Sequence, residues 1–226
     1  MKRIGLIGGM SWESTSSYYT MFNRFTSESA APWVQPRLLI DSVDFSEIVA
    51  LQRLGDWDAT GKILADSARR LVDAGATVLG IGANTMHMNF ESVAEAVEIP
   101  VVDIRDAVIT AVKAKDAASV SLLGTKYLME NDFYSHYLET RGVVVVQPTE
   151  DEVHELDSII FTELTQGIVT EESTNRFMAI AANCRRRGGD VIALCCTEFG
   201  MLVNEVDAPW PFVDSAAAHV RALLAF

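Results

Sequence analysis

The sequence predicts an α/β protein made of two similar lobes, each a parallel sheet flanked by helices. Two observations predict it: short β-branched runs alternate with longer amphipathic ones, and the two halves of the chain repeat each other's motifs. A third sets the scale, because 226 residues suffice for one large α/β unit or two small lobes. Hydrophobic residues at 49% and charged residues at 22% form an ordinary globular composition, which excludes intrinsic disorder, collagen-like repeats and low-complexity assembly.

In chain order, Arg3 to Ile7 reads as a first strand broken by Gly8-Gly9, and Ser11 to Ser27 as a helix. Arg37 to Val43 reads as a second strand. Trp57 to Ala74 carries Ile63, Leu64, Ala68 and Leu71 at helical spacing and stops at Gly75. Strand Thr77 to Ile81 runs into Gly82-Ala83-Asn84-Thr85-Met86-His87, then a helix through Val97. Pro100 to Asp103 and the helix Ile104 to Lys113 close the first series. The second series begins with strand Ser119 to Leu123, a turn at Gly124-Thr125, a helix Met129 to Thr140 and strand Val143 to Val146. An acidic loop follows, then a helix around Leu156 to Gln166, and a helix Glu171 to Arg187 ending at Gly188-Gly189. Strand Val191 to Cys195 comes next, and Trp210 to Asp214 leads into a last helix.

The halves rhyme in register. Ile4 to Met10 matches Val120 to Lys126 at an offset of 116 (124 − 8), and Gly75 to Thr85 matches Gly188 to Glu198 at 113 (196 − 83). Nearly equal offsets indicate a duplicated unit, giving a first lobe of residues 1–100 plus 214–226 and a second of 101–213. Ligands of open α/β sheets bind beyond the carboxyl ends of strands, so positions 83 and 196 are expected to face one cleft.

Charge and cysteine usage narrow the partners. A net charge of −13, from 18 basic and 31 acidic residues, repels a phosphate backbone and speaks against nucleic acid. It also opposes long-range capture of an anion, so an anion site must rely on local dipoles and hydrogen bonds. The longest stretch without a charged residue, Ala74 to Phe90, is interrupted by Asn84, Thr85, His87 and Asn89, so no membrane span is expected. Met1-Lys2-Arg3 begins like an export signal, but the apolar run behind it is short, glycine-rich and without a cleavage site. Three cysteines, two adjacent, make no disulfide framework; free thiols and a cytoplasmic location are the expectation.

Several residues could carry chemistry, each with a plainer alternative. Gly8-Gly9-Met10-Ser11 leaves a strand for a helix, offering N–H groups to an anion or simply a tight turn. It fits neither the dinucleotide nor the P-loop glycine spacing. Ser11, Ser14 and Thr15 serve equally as caps or ligand contacts. In Cys195-Cys196-Thr197-Glu198, alternation turns only one thiol toward a cleft; Cys195 reads as core and Cys196 as the exception. A helix start lowers a thiol pKa, and Glu198 opposes that. Cys184 shares a helical stripe with Phe177, Ile180 and Ala181 and reads as structural. Asn84 and Thr85 can cap a helix, but they recur opposite Thr197 in the repeat. His87 reads as an oriented histidine rather than a metal ligand; His136, His154 and His219 are isolated, and no metal spacing occurs. Arg185 to Arg187 complement a helix C-terminus and face water.

Gly8-Gly9-Met10-Ser11-Trp12-Glu13-Ser14-Thr15, Ser42-Val43-Asp44-Phe45, Ala83-Asn84-Thr85-Met86-His87, Leu123-Gly124-Thr125-Lys126-Tyr127 and Cys196-Thr197-Glu198 together resemble the aspartate/glutamate racemase superfamily, in its aspartate racemase branch. The resemblance covers nearly the whole chain. It implies a pyridoxal-independent racemase with no cofactor, two pseudo-symmetric α/β lobes and a homodimer, acting on a small amino acid or carboxylate. It also implies two cysteines flanking the substrate α-carbon, one removing the proton as thiolate and the other returning one to the opposite face. Racemisation needs such an acid and base on opposite sides of one carbon.

The chain departs from that pattern where the first thiol belongs: Ala83 stands before Asn-Thr, and Cys196 alone remains. Three consequences stay open. The protein works from one face with Thr85, His87 or water replacing the partner; or it is a carboxylate binder or a single-thiol isomerase or lyase on dicarboxylates such as maleate; or Ala83 is an introduced residue. Aspartate-specific relatives also imply an Arg after the second strand and a Lys near Glu163-Leu164. Here stand Ser42-Val43-Asp44-Phe45 and Thr165-Gln166, leaving Gln52 or Arg53 as the candidate clamp. The leading expectation is a racemase with Cys196 as thiolate base or thiol acid. Met10, Ser11, Gln52, Ala83, Asn84, Thr85, Thr125, Thr197 and Glu198 then line its substrate.

Overall fold

The computed structural model describes residues 2–31, 33–203 and 208–226. Within them lie two parallel four-stranded sheets. The first comprises β1 (Ile4–Gly8), β2 (Leu38–Ser42), β3 (Val78–Ile81) and β4 (Val101–Val102), in the order β2-β1-β3-β4. The second comprises β5 (Ser119–Leu123), β6 (Val144–Val145), β7 (Val191–Leu194) and β8 (Phe212–Asp214), in the order β6-β5-β7-β8. The strand order is thus the same in both, as the sequence repeat implies. Every residue of β1, β3, β5 and β7 is buried, as both faces of a parallel sheet must be when helices cover them.

The helices are α1 (Trp12–Ser29), α2 (Phe45–Leu54), α3 (Trp57–Asp73), α4 (Phe90–Ala94), α5 (Ile104–Lys113), α6 (Lys126–Glu130), α7 (Asp132–Glu139), α8 (Glu150–Thr162), α9 (Glu171–Arg186) and α10 (Ser215–Ala225). Among the described residues no helix is long and apolar enough to cross a membrane. The chain forms two compact units, the first running to Ile104 and taking in His219–Phe226, the second Arg105–Ala218. In the first, Ile7, Leu64, Ala68, Leu71, Leu79 and Ile81 form the heart of the core between α3 and the sheet. In the second, Leu122, Leu156, Ile160, Phe177, Val191 and Leu194 are all buried.

Local chemistry explains where the elements begin and end. Asp56 caps α3 through Ala59 N–H at 3.0 Å. Past its far end Gly75 takes φ +92°, and Ala76 N–H returns to the Leu71 carbonyl at 2.9 Å. Thr149 and Glu152 form a capping box on α8. The acidic run read from sequence as a loop is therefore the first turn of α8, where Glu150, Asp151 and Glu152 favour the positive end of the helix.

Four other readings change. Helix α2, unassigned from sequence, carries clear punctuation in the Asp44 cap and the left-handed Gly55. The helix expected through Val97 is a 3₁₀ turn, Thr85–Asn89, followed by the short α4. The helix expected from Met129 to Thr140 is divided at Asn131, whose extended backbone (φ −100°, ψ 139°) separates α6 from α7. Arg187 does not simply face water: its guanidinium pairs with the buried Glu152 carboxylate and touches the Cys184 sulfur at 3.2 Å.

Candidate active site

In each sheet the chain runs outward from its first strand to one edge and returns to the other side. The reversal falls between β1 and β3 in the first sheet and between β5 and β7 in the second. Ligands of open α/β sheets favour the carboxyl ends of strands at that reversal. The turns beginning at Gly8, Gly82, Gly124 and Cys195 all lie there.

In the first unit the turn after β1 is held by its own hydroxyls. Ser11 caps α1 by accepting from Ser14 N–H at 3.2 Å, and Thr15 Oγ1 accepts from Gly9 N–H at 2.8 Å while donating to the Ser11 carbonyl at 2.9 Å. Gly9 sits at φ +87°, and a side chain there would meet the Val43 carbonyl. Ser14 donates to the Gly82 carbonyl at 3.1 Å, tying this turn to the one after β3. Ser11 is thus the cap of α1, while the Ser14 and Thr15 hydroxyls brace the turn; Ser11 and Met10 are buried beside them. Gln52 comes in from α2, its amide donating to the Met86 sulfur at 3.2 Å, whereas Arg53 is exposed.

The turn after β3 centres on Ala83, partly buried, with Asn84, Thr85 and His87 buried behind it. Asn84 makes no side-chain cap bond to the following turn. His87 Nε2 accepts from Ile104 N–H at 3.1 Å, so the ring proton is on Nδ1, which donates to the Ala83 carbonyl at 2.9 Å. Both ring nitrogens are thereby committed to backbone. His87 is a strut between the Ala83 turn and the head of α5.

In the second unit Thr125 caps α6, and Gly124 passes close to Cys195, where an added Cβ would lie 3.2 Å from the Cys195 carbonyl. All three cysteines are free thiols and buried. Cys195 is core, and burial, chiefly, pushes its thiol up to about 12. The Cys196 thiol donates to Glu198 Oε2 at 3.0 Å, and the Thr197 hydroxyl donates to the same oxygen at 2.7 Å. Burial first, and the Glu198 charge second, raise the Cys196 pKa well above the ordinary thiol value. The resting sulfur is therefore a protonated thiol. The Cys196–Glu198 hydrogen bond escaped the sequence reading, although the two-residue spacing across a strand-end turn was its signal.

Ladder bonds make the two turns equivalent. Ile7 pairs with Ile81, and Gly82 N–H donates to the Ile7 carbonyl at 2.8 Å; Leu123 pairs with Leu194, and Cys195 N–H donates to the Leu123 carbonyl at 2.7 Å. Ala83 and Cys196 are each the next residue outward, and each precedes a 3₁₀ turn, Thr85–Asn89 or Thr197–Met201. Among the described residues no group of three or more His, Cys, Asp or Glu side chains could hold a metal ion.

Residues 7–223 match the family model described as Asp/Glu/Hydantoin racemase. A Yersinia pestis protein ascribed to the Asp/Glu racemases superimposes with a TM-score of 0.91 at 36% identity, over 100% of this chain and 98% of that one. An aspartate racemase homologue from Pyrococcus horikoshii OT3 does so with a TM-score of 0.87 at 35% identity, over the same shares. The broad specificity amino-acid racemase RacX of Bacillus subtilis is 20% identical over 167 residues, 74% of this chain and 72% of its own length.

Proposed function

Because the chain belongs to the Asp/Glu/hydantoin racemase family, we propose that it is a cofactor-independent amino-acid racemase that moves the Cα proton through Cys196 alone. The observation that carries this reading is the buried Cys196 thiol, held by a carboxylate at the carboxyl end of β7, at the strand reversal of its sheet. A thiol so placed can give a proton to a substrate carbanion, and after losing its own it can take one. Thr125 and Thr197, at neighbouring strand ends, are assigned to the substrate carboxylate. Asn84, Thr85 and the N–H groups of the Gly8–Ser11 turn keep the carboxylate-binding role that the resemblance implies. Because Ala83 brings no ionisable group, the second proton comes from water, and inversion is slow relative to a two-thiol enzyme.

The test is incubation in D₂O with both enantiomers of aspartate, glutamate and neutral amino acids. Loss of the Cα proton from at least one of them is expected, and its loss in none removes the claim. Ala83 favours a second reading, a carboxylate-binding protein with little turnover. That reading expects thermal stabilisation by carboxylic acids, without exchange, that survives Cys196→Ser; a measured turnover abolished by Cys196→Ser rejects it.

A further inference from the structure

We propose that the outer face of α1, with residues 33–35 and the margin of β2, receives a second copy of this chain about a twofold axis, each copy seating Trp33 in a groove of the other. The face belongs to the first unit alone and stands apart from the racemase reading. Trp12, Ser16, Tyr19, Thr20, Asn23 and Ser27 recur at helical spacing and form one stripe along α1. All are exposed but Asn23, which is half-buried. Val34 and Gln35 face this stripe across a groove of about 490 Å³, with Tyr19, Asn23 and Ser27 on its helical wall. Ile40 continues the face, since it and Thr15 of α1 both close on Gly8, and its strand is the outermost of the sheet. The inner flank of α1 is held by the Ser14 and Thr15 hydroxyl bonds, so the stripe rides on a fixed element.

Composition marks this face as one built to be covered. Trp33 is 82% exposed, Trp12 71% and Tyr19 52%. Together they leave on the order of 400 Å² of aromatic surface open to water, about half of the roughly 800 Å² that each partner of a stable complex buries. Interface cores gain aromatic residues and lose charged ones. Here no Asp, Glu, Lys or Arg occurs from Ser14 to Asn23 or from Ala30 to Pro36. The polar side chains of the stripe are already bonded to their own helix: Thr20 donates to the Ser16 carbonyl at 2.9 Å, Asn23 to Tyr19 at 2.8 Å and Ser27 to Arg24 at 2.7 Å. Those bonds persist when water is excluded, so covering the stripe costs little.

Charge selects the occupant. A chain of net charge −13 repels its own copy, and a face without acidic side chains is the one that can be set against itself. At its margin Arg24 pairs with Glu28 at 3.7 Å and Arg221 reaches the same carboxylate at 3.8 Å, which leaves the rim balanced. A twofold contact must also be self-complementary. Trp33 projects beside the groove on the same face, so a half-turn sets each projection against the other copy's recess.

The experiment is sedimentation equilibrium of the full chain with hydroxyl-radical footprinting. Contacts of this size hold at micromolar concentration or below, so the chain should be dimeric at about 50 μM. Oxidation of Trp12, Tyr19 and Trp33 should fall between about 1 and 100 μM protein, while Leu54, 80% exposed elsewhere in the same unit, keeps its reactivity. Tyr19→Lys and Trp33→Ala should each weaken dimerisation by at least about tenfold, and Leu54→Lys should leave it unchanged. Because the contact is uncharged and the two bodies repel, raising salt from about 0.05 to 0.5 M should tighten the dimer. A chain that stays monomeric at about 100 μM overturns the proposal. So does a dimer in which the three aromatic residues stay reactive, one that both variants leave intact, or one that salt loosens. If a variant fails to fold by circular dichroism, the footprint of the unaltered protein decides.

Discussion

The Tyr18 hydroxyl donates to Nδ1 of His219 at 3.0 Å, joining α1 to the C-terminal residues of the first unit across 201 positions of sequence. The other ring nitrogen of His219 donates to the Val102 carbonyl at 2.9 Å, and the ring stands edge-on to His87 at 5.8 Å. Both Tyr18 and His219 are fully buried. Tyr18→Phe removes the donor and leaves a buried acceptor unsatisfied. It should lower unfolding stability by about 1–3 kcal/mol, read as a fall in the urea midpoint at neutral pH.

His219 also makes the fold acid-sensitive. Burial, chiefly, and the neighbouring His87 push its pKa down to about 3 from the ordinary 6.5. The unfolded chain takes up this proton below about pH 6.5, while the folded chain refuses it until about pH 3. The stabilisation is therefore complete above pH 6.5 and is lost progressively as pH falls toward 3. Each pH unit in that window removes up to about 1.4 kcal/mol. His219→Gln keeps a donor and an acceptor but cannot titrate, so its stability should fall less steeply between pH 6.5 and 4.5. Parallel slopes for the two proteins in urea titrations would remove the assignment.

Cys196→Ser tests the proposed chemistry separately from the fold. Serine retains a donor for Glu198, so stability should stay within about 1 kcal/mol of the parent. An alcohol is a far weaker acid than a thiol and gives up its proton much less readily, so Cα exchange should drop by about 10²–10⁴-fold. Circular dichroism melts and deuterium-exchange rates on the same preparation check both halves.

Ala83→Cys restores a thiol at the position that repeats Cys196. The site is partly buried at a strand end, so a sulfur adds little crowding. Inversion should rise by at least about tenfold in both directions, and the ratio of exchange to inversion should fall toward one. An unchanged inversion rate, with the new thiol shown to alkylate, would count against the proposed pairing of roles.

The regular parts of this fold were open to reading because their periodicity and punctuation are local. The strand β5 and the helix α5 begin and end where alternation and helical spacing put them, and Gly75 stops α3 as its left-handed backbone demands. The 3₁₀ turn at Thr85–Asn89 was misread because nothing local separates it from an α-helix; the His87 bonds to Ala83 and Ile104 accompany it, and the second partner is 17 residues away. The candidate site divides the same way. The motif around Cys196 could be picked out from its repeat, while its contact with Glu198 depends on how a strand-end turn folds. The Tyr18–His219 bond spans almost the entire chain and left no trace in sequence, where His219 stood as an isolated residue.

Helix α10 begins in one unit and finishes in the other: Ser215 donates to the Leu194 carbonyl at 2.6 Å, while Leu223 and His219 fill the space left open above Gly80. Arg105–Ala218 is thus one uninterrupted stretch of chain. The amino-terminal unit, although its first residues are translated earliest, has an incomplete interior until residues 219–223 have been added.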